Sequence, residues 1–320
     1  MPGIGQRGKG AMGAVGSVRN LFNVVKEIRF DEVREQAERE PSLLVLASNE
    51  DDARSVAETV VGDAPGAQVE TGRLDGKPRL VGGYDAVIVF SADGRERVED
   101  VVTTIAAAGP NVPVVVFPGS DPRSFQAARE TRAVIVARAP ERAPAFGRHI
   151  PAFRAAAVDA IIDETARANA QFAFVANIPS VIPFVGSFAS AGADFLVLTK
   201  NQAMMVFKVA AAHDKDLRNQ YRIMREIAPV IGAGFFWRTL AREAVSFLPF
   251  AAGTIPKVAI AYTGTVAAGR AADFYYRMGK EPSREQMRAY YRQAAEALKK
   301  LPFLPSSEPN GDDGEEASSG

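Results

Sequence analysis

The sequence predicts an α/β domain followed by an all-helical, apolar domain, and three observations carry that reading. Short β-branched apolar runs alternate with polar, helix-compatible stretches up to about residue 140, the pattern of a parallel sheet covered on both faces. Beyond residue 143 the strand signal stops. Long alanine-rich stretches then follow, punctuated by Pro179, Pro183, Pro249 and Pro282, which end or bend helices because proline lacks an amide hydrogen. The divisions are a flexible N-terminus and amphipathic helix at 1–41, an α/β domain at 42–140, a helical domain at 143–303 and a disordered acidic tail at 304–320.

The elements follow in chain order. Residues 1–13 are glycine-rich, which favours disorder. Val18, Leu21, Phe22, Val25, Ile28 and Val33 recur near helical spacing and predict an amphipathic helix ending before Pro41. That helix either packs on the next domain or, through Arg19, Lys26 and Arg29, anchors at a membrane surface. Residues 43–47, 86–90, 112–117 and 133–137 are the apolar runs of strand length, and residues 68–74 are a candidate further strand. Between them, residues 51–61, 96–108 and 122–130 read as helices. The second half predicts helices at 143–177, 184–213, 217–247, 254–278 and 283–301, with residues 279–283 forming a helix end and a new N-cap. The tail lacks the apolar anchors that would offset the entropy of ordering it.

Composition narrows the function classes. The 320 residues carry 38 basic and 38 acidic side chains, so no global field favours nucleic acid. With no cysteine, disulfides and thiolate metal sites are excluded as readings, and with only His149 and His213 a histidine-rich zinc site is not expected. The N-terminus has no continuous apolar stretch of the signal-peptide kind. A cytoplasmic protein, or one on the inner face of the cell membrane, fits.

The turn after the first strand is where a nucleotide site is sought. A P-loop reads G-x-x-x-x-G-K-S/T, its glycines turning backbone amides toward phosphate and its lysine neutralising charge. Here Ser48 and Ala53 stand at the glycine places, Arg54 at the lysine place and Ser55 at the hydroxyl place. The spacing survives, but Cβ atoms hinder glycine-only backbone angles. Glu50, Asp51 and Asp52 add negative charge where phosphate would sit and themselves satisfy a helix N-terminus. The fold is therefore read as P-loop-like with a degenerate loop, and no cofactor or metal is expected. The guanine-reading loop Asn-Lys-x-Asp is matched after residues 112–117 only by Asp121, which reads equally as a cap preceding Pro122.

No other motif carries chemistry. His149 and His213 lie outside metal and nucleophile spacings and read as helix residues, His213 at a helix C-terminus. Gly232, Gly234 and Gly264 suit close helix packing. Between Arg167 and Lys200 only Asp194 is ionisable, and residues 244–256 and 258–269 are uncharged. These stretches predict a soluble bundle core or oligomer interface, shallow or hairpin insertion into a membrane, or, least compatible with their prolines, a span. Lys200, Lys208, Lys215, Arg218, Arg222 and Arg225 follow the first stretch and suit an anionic membrane surface or a solvated face.

The helical half resembles domain of unknown function 697, a bacterial domain found beside Era-like GTPase domains. The resemblance rests on residues 178–183 (Ile-Pro-Ser-Val-Ile-Pro), 201–205 (Asn-Gln-Ala-Met-Met) and 263–271 (Thr-Gly-Thr-Val-Ala-Ala-Gly-Arg-Ala), and it covers residues 155–300. Residues 20–28 and the strand at 43–47 resemble the run-up to the P-loop in GTPase-bearing relatives. The resemblance implies an Era-like domain departing from the family at its nucleotide loop. The resulting expectation is a non-catalytic protein with a pseudo-GTPase-like domain and a helical docking domain. Its partner would be a membrane surface or a protein. The alternatives are a nucleotide-dependent GTPase-like switch and a structural homo-oligomer assembled through the apolar helices.

Overall fold

The run Leu43, Leu44, Val45, Leu46, Ala47 has no polar side to turn to water, so a strand formed from it must be covered on both faces. The computed structural model describes residues 30–74, 83–92, 102, 112–175, 191–219, 222–223, 225 and 255–298. It contains a four-stranded, all-parallel sheet in the order β2-β1-β3-β4. The strands are β1 (Ser42–Ala47), β2 (Gln68–Arg73), β3 (Ala86–Phe90) and β4 (Val114–Val116). Period two sorts the side chains. Leu43, Val45, Ala47, Ala86, Ile88 and Phe90 join one core cluster, while Leu44, Leu46, Val87 and Val89 join another on the opposite face.

Helix α1 (Phe30–Glu38) presents Phe30, Val33 and Ala37 to the core, an apolar stripe at helical spacing. Helix α2 (Glu50–Val61) follows β1 and buries Ala53, Val56, Ala57, Val60 and Val61. Gly62, at φ 69°, ends it in the left-handed region. Helix α3 (Phe125–Arg138) follows β4. The run at 133–137, expected as a strand, lies inside α3. Its buried positions are Ala127, Ala128, Thr131, Ile135 and Val136, a three-to-four spacing that a five-residue apolar window conceals. The helix expected at 96–108 lies outside the described residues except for Val102, which is helical.

Every described element of the second half is a helix or a 3-10 turn. The helix expected at 143–177 is divided into α4 (Ala143–His149) and α5 (Arg154–Val175) by the 3-10 turn Pro151–Phe153, where Pro151 cannot donate the amide that would continue the first helix. Then come α6 (Ala191–Ala212), α7 (Ile255–Met278) and α8 (Arg284–Leu298). Most of the helix expected at 217–247, and all of residues 1–29 and 304–320, lie outside the described residues. Gly279, at φ 68°, stops α7. Ser283 opens α8 with a reciprocal cap: its Oγ accepts the Gln286 amide at 3.2 Å and its amide donates to Gln286 Oε1 at 2.7 Å.

The halves share a core. One buried cluster runs from Phe30 through the sheet to Ala272, and the Phe30 and Phe207 rings lie 4.6 Å apart. In the bundle α5 runs antiparallel to α7: a Cβ on Gly269 would meet Ile162, and Asn169 bonds Thr265. Helix α6 runs parallel to α7, from Gln202 beside Thr265 to His213 beside Asp273.

Candidate functional site

A doubly wound sheet binds ligands outside the carboxyl ends of its strands, where the strand order reverses. In the order β2-β1-β3-β4 that point lies between β1 and β3. Ser48 follows β1 and Ser91 follows β3; Ser48 Oγ donates to Ser91 Oγ at 3.3 Å, closing the point with a hydrogen bond between exposed hydroxyls. Ser91 had no motif to reveal it; only the topology brings it to Ser48.

Past Ser48 there is no cradle. The backbone enters α2 at Glu50, directly after the cap Asn49, whose Oδ1 accepts the Asp52 amide at 2.8 Å. The Ala53 amide already donates to the Asn49 carbonyl at 3.1 Å. Ala53 itself is fully buried in the core beneath the sheet. Arg54 lies a turn inside the helix, exposed, and its Nη1 pairs with Asp51 Oδ1 at 3.1 Å. The Ser55 carbonyl accepts the Thr59 hydroxyl at 2.6 Å. Three of the four P-loop-like positions, Ala53, Arg54 and Ser55, thus lie along a helix, and its first turn carries Glu50, Asp51 and Asp52.

Asp121 sits in the turn between β4 and α3. The helix cap expected there is one turn later: Ser124 Oγ accepts the Ala127 amide at 3.3 Å. The Asp121 carboxylate instead accepts the Arg123 amide at 2.9 Å, because Pro122 and Arg123 form a turn before the helix begins. Asp121 shares no hydrogen bond with Ser48, Arg54 or Ser55 among the described residues.

The histidines hold structure together. The half-buried His149 brings Nε2 to the Ala37 carbonyl at 3.0 Å. His213, directly after α6, is buried with Nε2 2.9 Å from Asp273 Oδ1, and Asp273 Oδ2 pairs with Arg277 Nη2 at 3.0 Å. The Asn201-Gln202 pair, singled out in the sequence, enters a buried polar junction of α5, α6 and α7. Asn201 Nδ2 donates to Asn169 Oδ1 at 2.7 Å, and Asn169 Nδ2 donates to Thr265 Oγ1 at 2.9 Å. Among the described residues no group of His, Cys, Asp or Glu is placed to hold a metal ion.

The apolar sequences converge on one end of the bundle. Ala173 and Phe174 of α5, Leu198 of α6, Val258 and Ala259 of α7 and Leu298 of α8 share a cluster there. The end of α5, the start of α6 and the start of α7, which flank residues 176–190 and follow residues 226–254, therefore lie together. Val175 and Val197 are exposed at this end, 58% and 39%, and Lys200 is exposed near it. The described part of the stretch at 244–269 is largely interior, with Val258, Ala259, Ala261, Tyr262, Ala267 and Ala268 buried. The basic positions divide. Arg218 follows Leu217, beyond the far end of α6, a 22-residue helix spanning about 33 Å. Arg222 is held close by, its amide on Asn219 Oδ1. Among the described residues no helix is long and apolar enough to cross a membrane.

No family model, no curated protein and no solved structure matches the chain.

Proposed function

We propose that this chain is a non-catalytic docking protein. In this reading an Era-like GTPase domain without a working P-loop is joined to a helical domain of the domain-of-unknown-function-697 kind. The helical domain docks on the inner face of the cell membrane. The observation that carries the non-catalytic half is the capped, acidic first turn of α2 directly after Asn49. A triphosphate there would meet three carboxylates at a helix end whose dipole they already complement.

The docking half is supported by the common attachment end of the uncharged stretches. A lipid surface would take apolar side chains there, each buried area contributing affinity. Arg218 and Arg222 enter from the other end of α6, so their attraction to anionic lipid at that surface would be weakened by distance and salt. The burial of Val258 and Ala259 within the bundle favours a second reading, in which the same end meets a protein or another copy of this chain.

The experiment for the non-catalytic half is titration of the full chain with GTP or ATP plus magnesium. The proposal predicts no binding tighter than about 1 mM. A micromolar dissociation constant that Arg54→Ala abolishes would overturn it in favour of a nucleotide-dependent switch.

A further inference from the structure

A groove of 610 Å³ lies between α3, α5, α7 and α8. Its floor is made of small side chains, among them Ala156 and Ala160 of α5 and Ala294 of α8. Volume and lining fall in the range of small-molecule sites between helices. The charges along it are unevenly matched. Asp159 is paired with Arg270, and Asp163 with Arg167 at 2.9 Å. Arg129 and Arg132, one turn apart on α3, also line the groove, and among the described residues neither is paired with a carboxylate.

Arg132 is the more telling of the two. Its Nε, Nη2 and Nη1 donate to the carbonyls of Val60, Thr59 and Ala152 at 3.0, 3.0 and 3.2 Å. Those bonds fix the guanidinium in place but leave its charge uncompensated, and two of its five N–H donors are unspent in these bonds. Burial pulls its pKa below the ordinary arginine value, the signature of a desolvated cation. A positioned cation lacking an acidic partner, at the wall of an apolar groove, favours an anion more than it favours water.

We propose that this groove binds an amphipathic organic anion, its acid group on Arg129 and Arg132 and its slender apolar body along the alanine floor. The chemistry asked for is a carboxylate or sulfonate carried on an alkyl or flat aryl body. Arg129 is exposed and can close over the acid group, while Arg132 is held by its carbonyls.

The test is calorimetric titration of the full chain with decanoate, against decan-1-ol as the neutral counterpart of equal length. Decanoate should bind at a single saturable site, and decan-1-ol about tenfold more weakly, the difference of one charge-assisted hydrogen bond. Arg129→Gln should weaken decanoate about fivefold and bring the two probes closer together. Ala156→Phe, which fills the groove, should remove binding while the thermal midpoint and circular dichroism remain those of a folded protein. If Ala156→Phe does not fold, Ala160→Leu takes its place. No saturable binding up to about 1 mM, equal affinity for acid and alcohol, or decanoate binding untouched by Arg129→Gln and by the filled groove would each overturn the proposal.

Discussion

Arg142 grips Asp85 with a two-pronged ion pair, Nε to Oδ1 at 2.8 Å and Nη2 to Oδ2 at 3.1 Å, across the joint between the sheet and the bundle. The pair is buried, its side chains 8% and 6% exposed. Four of the five guanidinium donors of Arg142 are spent here, and Arg39 Nη2 adds a second cation at Asp85 Oδ1. Arg142 also donates to the carbonyls of Gln36 and Arg39, and Asp85 Oδ2 accepts the Ser42 amide at 3.0 Å. One side chain thereby ties α1, β1, β3 and the entry to α4.

Removing Arg142 takes two hydrogen bonds from the buried Asp85 carboxylate and leaves it the Ser42 amide and the largely exposed Arg39, whose Nη2 also reaches Oδ1. Arg142→Ala should destabilise the protein by about 2–4 kcal/mol, less than a carboxylate left with no cation would cost, because Arg39 remains. Because the core is continuous from Phe30 to Ala272, strand and helix signals should be lost in one transition. Denaturant unfolding followed by far-ultraviolet circular dichroism checks this. Two separated transitions, or a cost under about 1 kcal/mol, contradict it.

Gly269 lets α7 approach α5 and α6. A Cβ there would lie 2.6 Å from Ile162 Cγ1, closer than atoms pack, and 3.1 Å from Met205 Sδ, a tight contact. Gly269→Ala should cost about 1–3 kcal/mol by overpacking, despite alanine's better helix propensity. Adding Ile162→Ala should relieve the clash, so the double variant should lose less than the two single costs combined. Strict additivity in thermal midpoint would show that the helices do not meet at this glycine.

Alkaline pH probes the bundle through Tyr262. Burial, reinforced by Asp163, raises its pKa above the ordinary 10.0. The folded state thus holds the phenol proton more tightly than the unfolded chain does. The associated stability is complete below about pH 10 and is lost as the pH rises from there through the folded value. Tyr262→Phe should therefore flatten the fall in thermal midpoint above about pH 10. Phenolate absorbance should show one fewer late-titrating tyrosine in the variant than in the wild type, where Tyr84 and Tyr290 are raised as well. An unchanged slope contradicts the burial.

Strand runs that are apolar on both faces are legible without a structure, as are the helix end and start marked by Gly279 and Ser283, whereas the break at Pro151 falls within the single helix expected at 143–177. The run at 133–137 misleads because five apolar residues fit a strand and the inner face of a helix alike. The degenerate loop was legible as chemistry, since Ser48 and Ala53 replace glycines and acids lie between them, but not as geometry. Only the backbone reveals that α2 begins at Glu50 and draws Ala53 into the core. Partnerships between residues distant in sequence, Arg142 with Asp85 or Ser48 with Ser91, left no trace in local spacing. The split of the basic positions between the two ends of α6 likewise required the helix directions.

Docking through the end of the bundle where α5 ends and α7 begins is the central claim, and flotation of the full chain with liposomes tests it most directly. The protein should rise with anionic liposomes. Phe184→Glu with Phe188→Glu should release it, since charges at those positions oppose apolar insertion. Arg218→Gln, Arg222→Gln and Arg225→Gln together should reduce binding far less, because Arg218 and Arg222 lie toward the opposite end of α6 and salt screens charges beyond about 10 Å. If the wild-type chain floats with no liposome of any composition, membrane docking is contradicted and the partner is a protein.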